Sequence, residues 1–130
     1  MLVNLTPHPM SIYTTGTPER VSPENVTPIV VIPPSPNHEP ARLGQRPTRA
    51  DDIGIGLPVQ RVIFGQWDGQ PNGLPPARPG IWYIVSTLVA LAHPHRDDLL
   101  VPYGTVRDLD GNVIGSTGFA RPVTTDGGAP

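Results

Sequence analysis

The apolar positions of this chain fall in short runs separated by turn residues. Leu2–Leu5 and Met10–Tyr13 read as extended segments on either side of Thr6-Pro7-His8-Pro9. The residue before a proline is pushed away from the helical region, so that tetrapeptide predicts a turn and the two runs predict an N-terminal hairpin. Ile29-Val30-Val31-Ile32 is a β-branched run cut off by Pro33-Pro34-Ser35-Pro36, a strong strand signal by residue type. An edge strand is expected near residues 41–43, followed by a mobile loop or disordered excursion. Val59–Phe64 reads as another strand. Residues 65–80, with Gly or Pro at nearly every third position, read as a long surface loop whose large apolar residue is Trp67.

The most hydrophobic run is Ile81-Trp82-Tyr83-Ile84-Val85. Ser86 suits a helix N-cap, and Leu88, Leu91 and Ala92 recur at helical spacing before Pro94 ends the segment. Asp97–Val101 leads into a further strand. Thr105–Asp108 and Val113–Gly115 flank Leu109-Asp110-Gly111-Asn112, a hairpin signal in which Asp-Gly supplies the positive φ of the turn. Phe119 is expected to close the core. The pattern predicts a mainly β chain (α+β at most): a small β-sandwich or open barrel of short antiparallel strands with one short helix. Residues 1–122 are expected to form a single domain, with 123–130 a fraying tail.

Composition narrows this further. Nineteen Pro and 14 Gly in 130 residues exclude long helices over most of the length. With no cysteine, disulfides and zinc thiolate sites are excluded. Residues 1–7 lack a basic flank and their apolar run breaks at Asn4, so no signal peptide is expected. The apolar stretch 81–92 is shorter than the ~20 residues a membrane helix needs. A cytoplasmic protein is expected. The net charge of −2 does not suggest a DNA or RNA polymer as partner. All nine basic residues are Arg, each a planar fork suited to phosphate or to stacking on a base.

Three chemistries can be weighed. His93, His95, Asp97 and Asp98 have H-x-H-x-D spacing that could serve a metal-dependent phosphoester hydrolase, but such a site needs ligands from distant loops and a far larger scaffold, and the segment reads more readily as a solvated loop after a helix. No G-x-S-x-G, P-loop or dinucleotide fingerprint is present, and neighbouring carboxylates at Asp51/Asp52 and Asp97/Asp98 point opposite ways on an extended chain. No enzyme and no cofactor is therefore expected. Arginines near aromatic residues are the third: Arg96, Arg107, Arg42 and Arg61 beside Trp82 and Tyr83 could grip a phosphate and stack a base. Alternatively, these arginines pair with Asp97, Asp98 and Asp108.

Several motifs recur in order: Asn4-Leu5-Thr6-Pro7-His8; Ile32-Pro33-Pro34-Ser35 with Ala41-Arg42; Gly56-Leu57-Pro58; Tyr83-Ile84-Val85-Ser86; Arg96-Asp97-Asp98-Leu99 with Val101-Pro102; and Val106-Arg107-Asp108 with Asp110-Gly111-Asn112-Val113-Ile114-Gly115. The series resembles small phage and bacterial proteins that begin "NLTPH", and is similar to the phage anti-Thoeris sponge proteins, which sequester cyclic ADP-ribose-type signals and in some cases cyclic oligonucleotides. The resemblance implies a homo-oligomer with ligand sites between subunits, gripped by Arg107, Arg96, Arg42 and one of Trp82 or Tyr83, and sequestration without turnover. The rival expectation is a phage structural or accessory β domain that makes only protein contacts.

Overall fold

The computed structural model describes residues 1–42, 44–64 and 74–123. It is mainly β. The described residues form eight strands: β1 (Leu2–Asn4), β2 (Met10–Ile12), β3 (Val30–Ile32), β4 (Gln45–Ala50), β5 (Gln60–Phe64), β6 (Trp82–Ile84), β7 (Leu99–Arg107) and β8 (Val113–Ala120). One α-helix, α1 (Thr87–Ala92), and one 3₁₀ turn, Pro23–Asn25, complete the regular structure. Six strands form a sheet in the order β1-β6-β7-β8-β2-β3, and β4 with β5 forms a separate two-stranded ribbon. Asn4 bridges Pro34 just beyond β3, which brings the two edges of the large sheet together and makes it nearly a closed barrel.

This is the expected small barrel with one short helix, but its strand directions are mixed. β1 runs parallel to β6, β6 to β7, and β2 to β8; β7–β8 and β2–β3 are antiparallel. The expected N-terminal hairpin is not formed. The turn at Thr6–Pro9 exists, but β1 leaves it to pair with β6, while β2 pairs with β3 and β8. The side chain of Asn4 explains the divergence. It is buried, and its amide donates to the carbonyls of His8 (2.8 Å) and Ile32 (3.0 Å). Its carbonyl accepts from the Thr6 N–H (2.9 Å) and the Thr6 hydroxyl (2.7 Å). The Asn4 backbone carbonyl accepts from Ser35 N–H at 2.9 Å. One side chain thus shapes the turn and holds β3 against β1.

The β7–β8 hairpin forms as its sequence predicts. Gly111 sits at φ 87°, and Asp108 accepts from the N–H groups of Asp110 and Asn112, both at 2.9 Å. Those bonds, Asn112 first, hold the Asp108 carboxyl below its ordinary range. The segment expected to lead into a strand, 97–101, and the expected hairpin strand 105–108 meet in one strand, β7, which takes in residues 99–107. Beside this hairpin, Gly115 lets β2 approach β8: a Cβ there would collide with the Ser11 carbonyl and the Tyr13 ring.

The larger core cluster comprises Leu5, Tyr83, Val85, Val89, Ala90, Leu99 and Val101; a smaller one joins Tyr13, Val21 and Val106. Helix α1 is capped as expected, with the Ser86 hydroxyl accepting from Val89 N–H at 3.3 Å. Its buried face is Val89 and Ala90, whereas Leu88 and Leu91 are exposed. Spacing alone selects the wrong stripe, because packing against Leu99 and Val101 of β7 decides which side of a six-residue helix turns inward. Phe119 is only half-buried and belongs to neither core cluster. No strand covers the described residues of 41–43; β4 begins at Gln45. Leu43, the loop residues 65–73 with Trp67, and the tail residues 124–130 lie outside the described residues. No helix among the described residues is long and apolar enough to cross a membrane.

Replacing Asn4 by Leu removes the acceptor of the buried Thr6 N–H and the donor to the Ile32 carbonyl, and leaves the Thr6 hydroxyl and the His8 carbonyl only each other. It should destabilise the fold by about 3 kcal/mol or more, read as a lowered urea midpoint at unchanged slope. A loss below ~1 kcal/mol would contradict the role given to this side chain.

Candidate cleft beside helix α1

The segment joining α1 to β7 is built from local bonds. His93 is the C-cap of α1 and is buried; its Nδ1 lies 2.9 Å from the Val89 carbonyl. Arg96 N–H donates back to the His93 carbonyl at 3.0 Å, which turns the chain so that Arg96 faces Asp98. The guanidinium donates in a fork, Nε to Oδ1 and an Nη to Oδ2 of Asp98, each 2.8 Å. An Nη also donates to the Pro75 carbonyl at 2.9 Å. Both side chains are largely buried, 16% and 10% exposed. The fork holds the Asp98 carboxyl below its usual range against the opposing effect of burial, and raises the pKa of Arg96.

A cleft of about 350 Å³ opens between this segment and the end of β8. Ala90, His93, Pro94, Arg96, Asp97 and Leu99 line one side, and Arg121, Pro122 and Val123 the other. On the neighbouring strand β6, Trp82 projects outward and is 37% exposed. The Arg121 guanidinium lies over its ring, 5.4 Å from the centroid, within reach of a cation–π attraction. Arg121 has no carboxylate partner among the described residues. The cleft therefore carries one cation paired with Asp98, the exposed carboxylate of Asp97, and one cation, Arg121, that has no carboxylate partner among the described residues. Another depression of about 330 Å³, between β2 and β8, is lined by His8, Met10, Pro102 and Ile114 among others and has no Arg, Asp or Glu.

The structure gathers only part of the arginine–aromatic set expected from the sequence. Arg96 and Leu99 mark one end of β7 and Arg107 the other. At about 3.3 Å per residue, the nine-residue strand holds those ends roughly 26 Å apart. Arg107 serves the hairpin, donating to the Gly111 carbonyl at 2.9 Å. Arg42 is exposed and does not line the cleft. Tyr83 points the opposite way from Trp82, as alternate strand residues must. It is buried in the core, with its hydroxyl donating to the Pro76 carbonyl at 3.3 Å. Within one chain, then, Arg107 and Arg42 stand away from Arg96, while Tyr83 is within electrostatic reach of Arg96 but is buried on the side opposite Trp82. The expected pairing of an arginine with Asp98 is present at Arg96. Arg121 supplies the arginine–aromatic contact instead. Only strand order could have revealed it, because Trp82 lies on β6 and Arg121 just beyond β8, with β7 between them.

The hydrolase alternative finds no assembled site. His93 is turned into the helix, Asp98 is occupied by Arg96, and the His95 ring lies 6.3 Å from that of His93, centroid to centroid. Among the described residues no three His, Asp or Glu converge to hold a metal ion. Comparison with known protein families, with curated proteins and with solved structures finds no match for this chain.

The Arg96–Asp98 pair carries a pH signature. Because the Asp98 carboxyl is depressed in the fold, its stabilisation is present above the ordinary value of 3.8 and is lost as pH falls through the folded value. Arg96→Met should cost about 2–3 kcal/mol, less than a fully enclosed pair. With the fork gone, burial raises the Asp98 pKa, so its contribution should fall as pH rises from about 4 to about 7, opposite in sign to the native protein. Chemical denaturation from about pH 2 to about pH 7 reads both the size and the sign.

Proposed function

We propose that this chain is a non-catalytic binding protein that sequesters a phosphorylated nucleotide signal of the cyclic ADP-ribose type, in the host cytoplasm during phage infection. The observation that carries this reading is the Arg121 guanidinium over Trp82 beside a cleft of nucleotide-compatible size. A phosphate can engage the outer edge of Arg121. A base can stack on the Trp82 face, either beside the guanidinium or in its place. Arg96 is a positioning residue here, since its fork is already occupied by Asp98 and Pro75.

Magnitudes decide how the site must be built. One charge-assisted arginine contact contributes about 1.5–3 kcal/mol and one base stack about 1–3 kcal/mol. Together they reach only the neighbourhood of millimolar binding, about 4 kcal/mol. Sequestering a scarce signal at nanomolar affinity takes about 12 kcal/mol. The reading therefore requires a homo-oligomer in which a second copy closes the cleft. Arg42 or Arg107 of that copy, each outside the cleft of its own chain, would supply further cations.

The competing reading is a phage accessory domain that makes only protein contacts. It is favoured by the neutralisation of Arg96 and by the exposed β4–β5 ribbon. The two separate by experiment. Heating the purified protein and analysing the released small molecules by mass spectrometry should recover an intact cyclic nucleotide. Titration with cyclic ADP-ribose isomers should show binding that Arg121→Ala weakens about tenfold or more, a loss of ~1.4 kcal/mol, with thermal stability unchanged. No retained nucleotide and no heat of binding would favour the accessory domain.

A further inference from the structure

The two walls of the cleft beside α1 hold opposite charges that do not neutralise each other. Asp97 lines the wall that carries Arg96, and Arg121 lines the facing one. Asp97 is exposed, and its carboxylate takes no hydrogen bond or ion pair from any described residue. Its electrostatic neighbour is Arg96, whose guanidinium is already held by Asp98 and the Pro75 carbonyl. Arg121 rests on the Trp82 ring and does not come within ion-pair distance of Asp97. With Arg96 balanced by Asp98, one wall is left negative by Asp97 and the other positive by Arg121.

A ligand that fills this cleft needs an anion on one side and hydrogen-bond donors on the other. An ionised carboxylate only accepts hydrogen bonds, so Asp97 attracts hydroxyl or amino groups and repels a phosphate. The other polar side chains on its wall are engaged: His93 lies against the Val89 carbonyl, and Arg96 is tied to Asp98 and Pro75. Ala90, Pro94 and Leu99 complete that wall with apolar side chains. In a nucleotide the ribose joins the base to the phosphate, and its 2′- and 3′-hydroxyls form an adjacent pair of donors on one edge. We propose that Asp97 is the specificity-determining residue of the cleft, a role that rests on the nucleotide reading of the same site. With the base on Trp82 and the phosphate on Arg121, the ribose edge faces Asp97 and its hydroxyls donate to the carboxylate. The cleft therefore takes a nucleotide whose ribose hydroxyls are free and rejects one phosphorylated there. Dinucleotide-binding folds use an acidic residue on a ribose hydroxyl for the same discrimination.

The test titrates the native protein with ADP-ribose and with ADP-ribose 2′-phosphate, which differ only at the ribose edge. ADP-ribose should bind about tenfold or more tightly than its 2′-phosphate, the size of one charge-assisted hydrogen bond. Asp97→Ala should weaken ADP-ribose by about the same factor and remove the preference. Asp97→Asn keeps an acceptor without the charge. It should bind ADP-ribose more tightly than Asp97→Ala does, and admit the 2′-phosphate better than the native protein. The thermal midpoint should stay put in both variants, since no bond of the described fold ends on this carboxylate. Equal binding of the two ligands by the native protein overturns the proposal. So does a ratio that neither substitution changes, or ADP-ribose binding that Asp97→Ala strengthens. If Arg121→Ala weakens both ligands while the Asp97 substitutions leave their ratio alone, the role of Asp97 falls and the nucleotide site remains. If the native protein binds neither ligand, both fall.

Discussion

The fold depends on one buried amide. Asn4 has two donors and an acceptor with two lone pairs, and all four are used within the barrel seam. A group so fully satisfied in a low-dielectric interior is worth more than its separate bonds, because any partial loss strands polar atoms away from water. The other seam constraints follow from it. Thr6 is held close, the chain turns at Pro7–Pro9, and β3 is brought against β1, so the sheet edges that would otherwise be open meet at Asn4 and Pro34. A shift of β3 would cost this amide its bond to the Ile32 carbonyl, which favours the observed register as well as the closure.

Local chemistry is legible in the sequence and long-range pairing is not. Asp-Gly at 110–111 specifies its hairpin, Ser86 and Pro94 bracket α1, and proline density rules out long helices; each is decided by a few adjacent residues. The parallel pairings β1–β6 and β2–β8 join segments about eighty and a hundred residues apart, and nothing in either strand names its partner. The helix face escapes the sequence for a related reason. In a helix of six residues, apolar residues occur on every side, and tertiary contact with β7 decides among them. The Asn4-Leu5-Thr6-Pro7-His8 motif is visible as a pattern, but its meaning is architectural: it encodes the seam.

The cleft shows the same division. That arginines would meet a carboxylate and an aromatic ring can be anticipated from residue types. Which arginines do so depends on strand order. Arg96 and Asp98 are two residues apart and find each other locally, whereas Arg121 reaches Trp82 only because β8 and β6 flank β7. Electrostatically the result is asymmetric. A neutralised, stiff pair forms one wall, and a cation resting on a π face forms the other.

The anchoring of Pro75 and Pro76 has a further consequence. Both carbonyls are tied down, one by the Arg96 guanidinium and one by the Tyr83 hydroxyl, and both anchors are set by the barrel. The chain thus re-enters β6 from a fixed point whatever precedes it. The start of β6 is thereby positioned by two barrel side chains, without relying on the residues just before Leu74 to place it.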